Sequence, residues 1–362
     1  MMITLDGSYE EGGGALVRVA MALSALTGQE FKVSNIRAGR EQGGLKAQHL
    51  TAIKALKEMC NAETNAVELG STELWFKPGK VKRGIYHLDI GTAGSISLLL
   101  QALILPGMFA GGKITLHIKG GTCGKWQASV DYMEHVLFPQ LQRFVEKTEL
   151  KVQKRGYYPV GGGEIAVEIT PRLHDTSPTF FSELQQKTAI IKMLEQGTLE
   201  QIRGVVNVSR DLAEKEVAER IKSAAELNLR RYYSVPISIR VEYAETASSG
   251  GDILLWALCS NGGKMGKANA VILGADALVE RGKRAEDIGK EAAEKLYQEI
   301  TGGFPVDHYL VDQLIPFMAL LPGSEIRVPE VTKHAKTNIY VAEQFLPVHF
   351  VLEKNKVAVE KK

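Results

Sequence analysis

Cysteine is scarce: Cys60, Cys123 and Cys259 are the only three in 362 residues. They stand far apart and form no CxxC pair, which argues against a disulfide framework or a structural zinc site and fits a reducing compartment. Net charge is slight as well, with 44 Lys and Arg against 42 Asp and Glu for a total of +2. That balance argues against a general nucleic-acid coat, so a phosphate-rich partner has to be met by a local cluster of cations. Met1-Met2-Ile3-Thr4-Leu5-Asp6 has no basic region followed by an apolar stretch, and no signal peptide is visible. The longest apolar run, Ile96 to Ala110, carries Gln101, is broken by Pro106-Gly107 and is too short to span a membrane. These absences predict a soluble, cytoplasmic protein with no membrane partner. What is present is 44% hydrophobic residues, enough for an ample core over two domains or one repeat-built domain with an insertion.

The chain repeats its pattern without repeating its letters. A strand at Ile3–Asp6, a glycine cluster, a helix from Ala15 to Leu26, a strand at Phe31–Ile36, a helix from Ala47 to Cys60 and strands at Ala66–Leu69 and Glu73–Lys77 give the order β-α-β-α-β-β. The same order returns from the strand Tyr86–Ile90 and the helix Ser95–Leu105, through Lys113–Lys119 and Val130–Val145, to Leu150–Lys154 and Glu164–Ile169. A third copy runs from a helix at Tyr309–Leu321 through the strand Glu325–Val331 and the helix Ile339–Leu346 to strands Val348–Glu353 and Lys356–Val359. Gly302–Val306 is the candidate for its first strand. The reading is an α/β (α+β) fold of three tandem β-α-β-α-β-β repeats, about 1–80, 84–172 and 304–360. A catalytic repeat domain then comprises 1–194 plus 304–362, and a smaller inserted α/β domain occupies 195–303. Within the insert, strands are expected at Ile202–Val208, Ile237–Tyr243, Ile253–Cys259 and Ala268–Leu273, and helices at Leu212–Leu227 and Ala285–Thr301. Thr176–Phe181 and Gly302-Gly303 read as linkers.

Each repeat has a polar turn after its second main strand: Arg37-Ala38-Gly39-Arg40, Gly120-Gly121-Thr122 and Lys333-His334. Packed around a pseudo-threefold axis, the three turns would converge on one anion-binding basin, with the helix starts behind Gly12-Gly13-Gly14 and Gly91–Gly94 pointing into it. His334, delivered by an extended run to a strand-to-helix turn, would stand there as a nucleophile, a general acid or only a hydrogen-bond donor; a satisfied structural histidine is the plainer alternative. In Asp6-Gly7-Ser8-Tyr9-Glu10-Glu11-Gly12-Gly13-Gly14, a carboxylate beside phosphates points to Mg²⁺ or Mn²⁺ on Glu11 or Glu10, or simply to acids complementing a helix start. Arg18 reaches the same place from the first turn of an apolar helix. Arg37 and Arg40 suit clamping of phosphate oxygens or form a solvated loop, with Gln48 and His49 soon after. Tyr309, Asp312 and Gln313 share a helical face, opposite a core-facing side of Leu310, Leu314, Ile315 and Met318, and suit a nucleobase and ribose or plain solvent.

Together, Leu5-Asp6-Gly7-Ser8-Tyr9-x-Glu11-Gly12-Gly13-Gly14, Ile36-Arg37-Ala38-Gly39-Arg40, Gln48-His49-Leu50, Gly91-Thr92-Ala93-Gly94-Ser95, Tyr309-x-x-Asp312-Gln313 and His334-x-x-Thr337-Asn338 occur in the order seen in the RNA 3′-terminal phosphate cyclases. The resemblance runs from Met1 to about Val359. It implies a fold similar to the enolpyruvyl transferases, with three repeats plus one inserted domain. It also implies ATP as co-substrate and RNA 3′-phosphate ends as partner. His334 would attack the α-phosphate of ATP and hold AMP, which passes to the RNA 3′-phosphate before the 2′-hydroxyl closes a 2′,3′-cyclic phosphate. Arg18, Arg37, Arg40 and a divalent ion at Glu11 would stabilise the transferring phosphorus. Gln101, Tyr309, Leu310, Val311, Asp312 and Gln313 match ATP-contacting positions, and Gln48 matches a site-lining one.

The chain departs from the family pattern in three places. Glu10 stands where glycine is usual, and Ala15 replaces a glutamine. Cys123, Lys125, Gln127, Ala128 and Ser129 occupy a stretch that typically carries acid and proline residues, although Trp126, Asp131 and Tyr132 fit. One rival reading is a non-catalytic cyclase-like factor of ribosome biogenesis, which lacks the nucleophilic histidine; the presence of His334 speaks against it. An enolpyruvyl-transferase-type enzyme is a second rival, and it accounts for neither the His334 segment nor the insert.

Overall fold

A computed structural model describes residues 2–174, 179–260 and 270–362. The first repeat comprises β1 (Ile3–Asp6), α1 (Ala15–Thr27), β2 (Phe31–Ser34), α2 (Ala47–Cys60), β3 (Glu63–Thr64) and β4 (Leu74–Lys77). Its sheet has the order β1-β2-β4-β3, parallel at β1–β2 and antiparallel beyond. The second repeat has β5 (Gly84–Asp89), α3 (Ile96–Met108), β6 (Ile114–Gly120), a continuous helical run α4 (130–144), β7 (Val145–Lys154) and β8 (Gly163–Pro171). Its order, β5-β6-β8-β7, repeats the first.

The third sheet corrects the expectation for its first strand. After α5 (Phe180–Lys187), the two residues of β9 (Lys192–Met193) pair in parallel with β14 (Glu325–Arg327), whereas Gly303 caps a helix and 304–306 form no strand. Between them lie β10 (Thr198–Ser209), α6 (Val217–Leu229), β11 (Ile237–Ala244), β12 (Gly251–Ser260), β13 (Val271–Leu278) and α7 (Ala285–Gly302), followed by α8 (Leu310–Met318). After β14 come α9 (Lys333–Phe345), β15 (Val348–Glu353) and β16 (Lys356–Lys361). The order β9-β14-β16-β15 matches the other two repeats, while β11-β10-β12-β13 forms a separate fourth sheet. The third unit is therefore interrupted after its first strand, not preceded by the insert.

Local chemistry explains the other differences. The strand expected at Ala66–Leu69 lies at Glu63–Thr64, because the Asn65 side chain accepts the Trp75 N–H at 2.8 Å and ends the ladder there. Pro106 does not break α3. It sits in the last turn, so the i→i−4 hydrogen bond it removes falls at the end of the helix, which runs on to Met108. The insert's first helix is split: a 3₁₀ turn at Arg210–Lys215 ends at Glu216 in a left-handed conformation before α6 begins. Two residues of the strand expected at Ala268–Leu273 and three of the linker at Thr176–Phe181 lie outside the described residues.

Helices face inward and sheets outward. Residues 15–26 of α1 are all buried, and α3 is nearly so, which is the signature of a helix enclosed on every side. β5 alternates buried and exposed residues, as a strand with one wet face does. α1 packs against both α3 and α9, so one helix from each repeat meets at the centre. The fourth sheet docks on α4: a Cβ at Gly274 would lie 2.6 Å from the Tyr132 ring, Gln140 Nε2 donates to the Ala270 carbonyl at 2.7 Å, and the buried Arg155–Asp131 pair takes in Asn207 at 3.3 Å.

Candidate active site

Four helix N-termini line one basin, and helix starts attract anions. Gly14 begins α1, and a Cβ there would lie 2.5 Å from His49 Nε2 and 2.9 Å from Arg18. Gln48 and His49 lie in the first turn of α2, and Gln48 Oε1 faces Gly94 ahead of α3. His334 lies in the first turn of α9. That helix starts at Lys333, six residues earlier than expected, because the Thr332 hydroxyl accepts the Ala335 N–H at 3.0 Å and caps it. His334 is thus held by a helix rather than by an extended run.

The repeat 1 and repeat 3 turns meet here. Glu11 is only 8% exposed; one of its oxygens is paired with Arg40, and the other lies 3.6 Å from His334 Nδ1 with no hydrogen-bond partner. The stacked rings of Tyr9 and Tyr340, 4.2 Å apart, tie this turn to α9. Glu10 is exposed at φ 52°, a left-handed conformation that favours glycine. The repeat 2 turn joins the α3 start instead. Gly121 bridges to Ser95 and Thr122 bonds Gly156, and among the described residues no hydrogen bond or ion pair joins this turn to Glu11, Arg40 or His334. Repeat 2 contributes Gln101 instead, whose Oε1 accepts Arg18 Nε at 2.9 Å.

Burial and charge set the protonation states. Burial, then Arg18 and Arg40, hold the His334 imidazole below its ordinary 6.5, so it is neutral at pH 7. Burial pulls the Arg18 guanidinium down to about 10, opposed by Asp312, and it remains charged. Asp312 is pushed up to about 7 by burial, with Arg18 pulling the other way. Arg37 is close enough to act on Arg18 and His49 through its charge, and its hydrogen bonds go to its own loop. With its backbone at φ 57°, its guanidinium donates to the carbonyls of Gln42 at 2.7 Å and Gly44 at 3.3 Å, bracing its own loop.

α8 is a packed helix rather than a solvated face. Leu310 and Val311 are fully buried, which leaves only their backbone for a ligand, and Gln313 is buried with its Oε1 unpartnered. Tyr309, half-buried at the helix start, donates to Asp276 at 3.4 Å. Asn338 Nδ2 donates to the Asp312 carbonyl at 2.8 Å and locks α8 to α9. Gln101, Asp312, Gln313 and Asn338 also border a cavity of about 30 Å³ between the central helices, room for a water molecule.

Sequence reasoning missed two positioning groups. Asp307, fully buried, accepts the Tyr309 and Leu310 N–H groups at 2.9 Å, the Gly274 N–H at 2.8 Å and the Tyr132 hydroxyl at 2.7 Å, fixing where α8 begins. An aspartate just ahead of a helix is a readable cap signal. His49, quoted only as part of a motif, accepts the Lys46 N–H on Nδ1 at 3.0 Å, so its proton is on Nε2. Burial first, then Arg18, Arg37 and Lys46, bring it down to about 3, and its buried Nε2–H, without a protein partner, faces the start of α1. No sequence spacing signals that tautomer.

A family model described as RNA 3′-terminal phosphate cyclase matches residues 9–352. Proteins named RNA 3′-terminal phosphate cyclase are similar over nearly the whole length. The Methanopyrus kandleri protein is 40% identical over 96% of this chain and 94% of its own, and that of Methanosarcina mazei 40% over 97% of each. The Pyrococcus furiosus protein is 39% identical over 100% of this chain and 99% of its own. The chain belongs to the RNA 3′-terminal phosphate cyclase family.

Proposed function

We propose that this protein converts an RNA 3′-phosphate into a 2′,3′-cyclic phosphate at the expense of ATP, through AMP held covalently on His334. The observation that carries this reading is the placement of His334: a neutral imidazole in the first turn of α9, with Nδ1 turned toward Glu11. With the proton on Nδ1, Nε2 keeps a lone pair. It forms a bond to the α-phosphorus of ATP as the bond to pyrophosphate breaks. An oxygen of the RNA 3′-phosphate then takes the AMP from Nε2. The terminal 2′-hydroxyl attacks the activated phosphorus, gives up its proton and expels AMP.

The chain's own residues stabilise charge and fix geometry. Arg18 and Arg40 offset the negative charge that grows on the phosphoryl oxygens, the helix starts and His49 Nε2–H donate to it, and Arg37 braces the loop that carries Arg40. Gln48, Gln101 and the Tyr309–Gln313 segment hold the nucleotide. Glu11 fits a Mg²⁺ or Mn²⁺ ion: its second oxygen is buried without a partner, and phosphate oxygens and water complete such a shell. When bound, the ion supplies Lewis-acid polarisation of phosphoryl oxygens. Three separate, buried, unpaired cysteines support a cytoplasmic setting, and no helix among the described residues is long and apolar enough to cross a membrane.

The test is incubation with ATP labelled at the α-phosphate and Mg²⁺ or Mn²⁺, beside a His334→Asn variant. An acid-labile, alkali-stable label on the wild type alone is expected. A folded, ATP-binding wild type that takes no label would overturn the covalent mechanism and favour a cyclase-like scaffold.

A further inference from the structure

Three exposed apolar side chains stand beside the site and take no part in the chemistry above. Trp126 is 93% exposed, Tyr158 81% and Val160 57%. A tryptophan in water forfeits the burial its ring usually contributes. Trp126 also sits at φ 60°, a left-handed backbone that bulky side chains rarely adopt. Its loop is otherwise well tied: the Ala128 carbonyl accepts the Ser97 hydroxyl at 2.6 Å, the Ser129 hydroxyl accepts the Tyr132 N–H at 3.2 Å, and Lys125 pairs with Glu280 at 2.6 Å. The surroundings fix the backbone and leave the ring outside.

The two loops bearing these side chains leave the body together. The Thr122 N–H and hydroxyl both donate to the Gly156 carbonyl, at 2.9 and 3.1 Å. Gly161 lies so close to the 91–94 turn that a Cβ there would be 2.7 Å from Ala93 Cα, and Gly94 of that turn faces Gln48. Loops 122–129 and 156–163 contain no carboxylate, and Lys125 is their one charged residue. An apolar, acid-free rim next to a phosphate-binding basin suits a strand that carries both bases and phosphates.

We propose that Trp126, with Tyr158, forms a stacking platform for unpaired bases of the RNA strand just upstream of its 3′-terminal nucleotide. This rests on the reading of the site as one for RNA 3′ ends. Aromatic faces accept any base, so the grip is tolerant of sequence and selective for single strands, because bases in a duplex are already stacked. Repeat 2 then holds the substrate while repeats 1 and 3 carry the chemistry.

The experiment compares wild type, Trp126→Phe and Trp126→Ala. Binding of a 3′-phosphorylated hexaribonucleotide is followed by the fluorescence difference between wild type and Trp126→Phe, since Trp75 and Trp256 are common to both. Quenching of the Trp126 component is expected. In Trp126→Ala, Kd and KM for the hexanucleotide rise about tenfold, Trp126→Phe recovers most of the loss, and KM for a nucleoside 3′-monophosphate, which has no upstream base, does not rise. Wild-type binding of the hexanucleotide by Trp126→Ala would overturn the platform. So would equal quenching by ATP alone, which would make the ring an adenine contact, or a changed sedimentation coefficient, which would make it a contact between copies. Failure of the wild type to take an AMP label would sink the catalytic reading separately, since the fluorescence titration needs no chemistry.

Discussion

The loop after β2 and the loop after β6 occupy the same place in two copies of one topology, yet they have opposite character. Residues 35–46 turn through left-handed positions at Asn35, Arg37 and Gly44, close on themselves through Arg37 and lay Arg40 onto Glu11. Residues 121–129 are anchored just as firmly but present a bare indole and no acid. In the third copy the connection shrinks to 328–332, and His334 is carried by the helix itself. A duplicated scaffold thus supplies three equivalent exits, and loop length and composition decide what each one does: a long charged arm, an apolar shelf or a rigid mount. Rigid mounting suits a nucleophile, which has to be placed within a fraction of an ångström.

The contrast breaks most visibly at His334. His334→Asn should lower AMP labelling by roughly a thousandfold or more, because no other side chain takes over the bond to phosphorus. Arg18→Ala should cost about a hundredfold in turnover, since it removes a buried cation and leaves Gln101 Oε1 unpaired. Arg37→Ala should cost less, about tenfold, because that guanidinium braces the loop that carries Arg40. Turnover assays on variants with unchanged circular dichroism check both.

The pH profile sharpens the comparison further. The proposed attack needs a neutral His334, whose pKa lies below the ordinary 6.5. The labelling rate should be flat through pH 7 and fall on acidification, as the imidazole gains its proton below that value. Arg40→Gln removes one of the cations that depress the pKa, so the fall should begin at higher pH. An inflection that stays put would show that Arg40 does not act on the imidazole. The smallest effects belong to the glycines. Gly12 (φ 55°) and Gly161 (φ 76°) each leave no room for a Cβ against backbone, so alanine at either should cost about 1–3 kcal/mol in urea titrations. Gly12→Ala should also slow AMP labelling by displacing Glu11, whereas Gly161→Ala should chiefly raise KM for RNA.

How much of this was legible in the sequence depends on whether a residue's role is local. The α/β repeat pattern could be read because strands with one wet face and enclosed helices leave clear periodicities. β9 could not: two residues carry no period, and their partner lies beyond the whole insert. The start of α9 was hidden because Lys333, His334 and Lys336 are polar, so the first turn lacks an apolar stripe, and only the Thr332 cap reveals it. In the site, Glu11, Arg18, Arg40 and His334 were visible as charged residues beside glycines. That Arg37 would turn back on its loop, that Tyr340 would stack on Tyr9, and that His49 would present Nε2–H depend on contacts between distant segments.

The pairing of Lys192 with Glu325 has a consequence for the order in which the molecule assembles. The sheets of the first two repeats are each built from one continuous stretch of chain, and each can close within it. The third sheet cannot. Its edge strand is made before the insert and its partner well over a hundred residues later, so closure carries the entropy of a long loop and comes late. On a chain emerging from its N-terminus, the arginine arm and the aromatic shelf are therefore built before the mount that carries the histidine. The His334 turn meets Glu11 only once α9 has docked on α1.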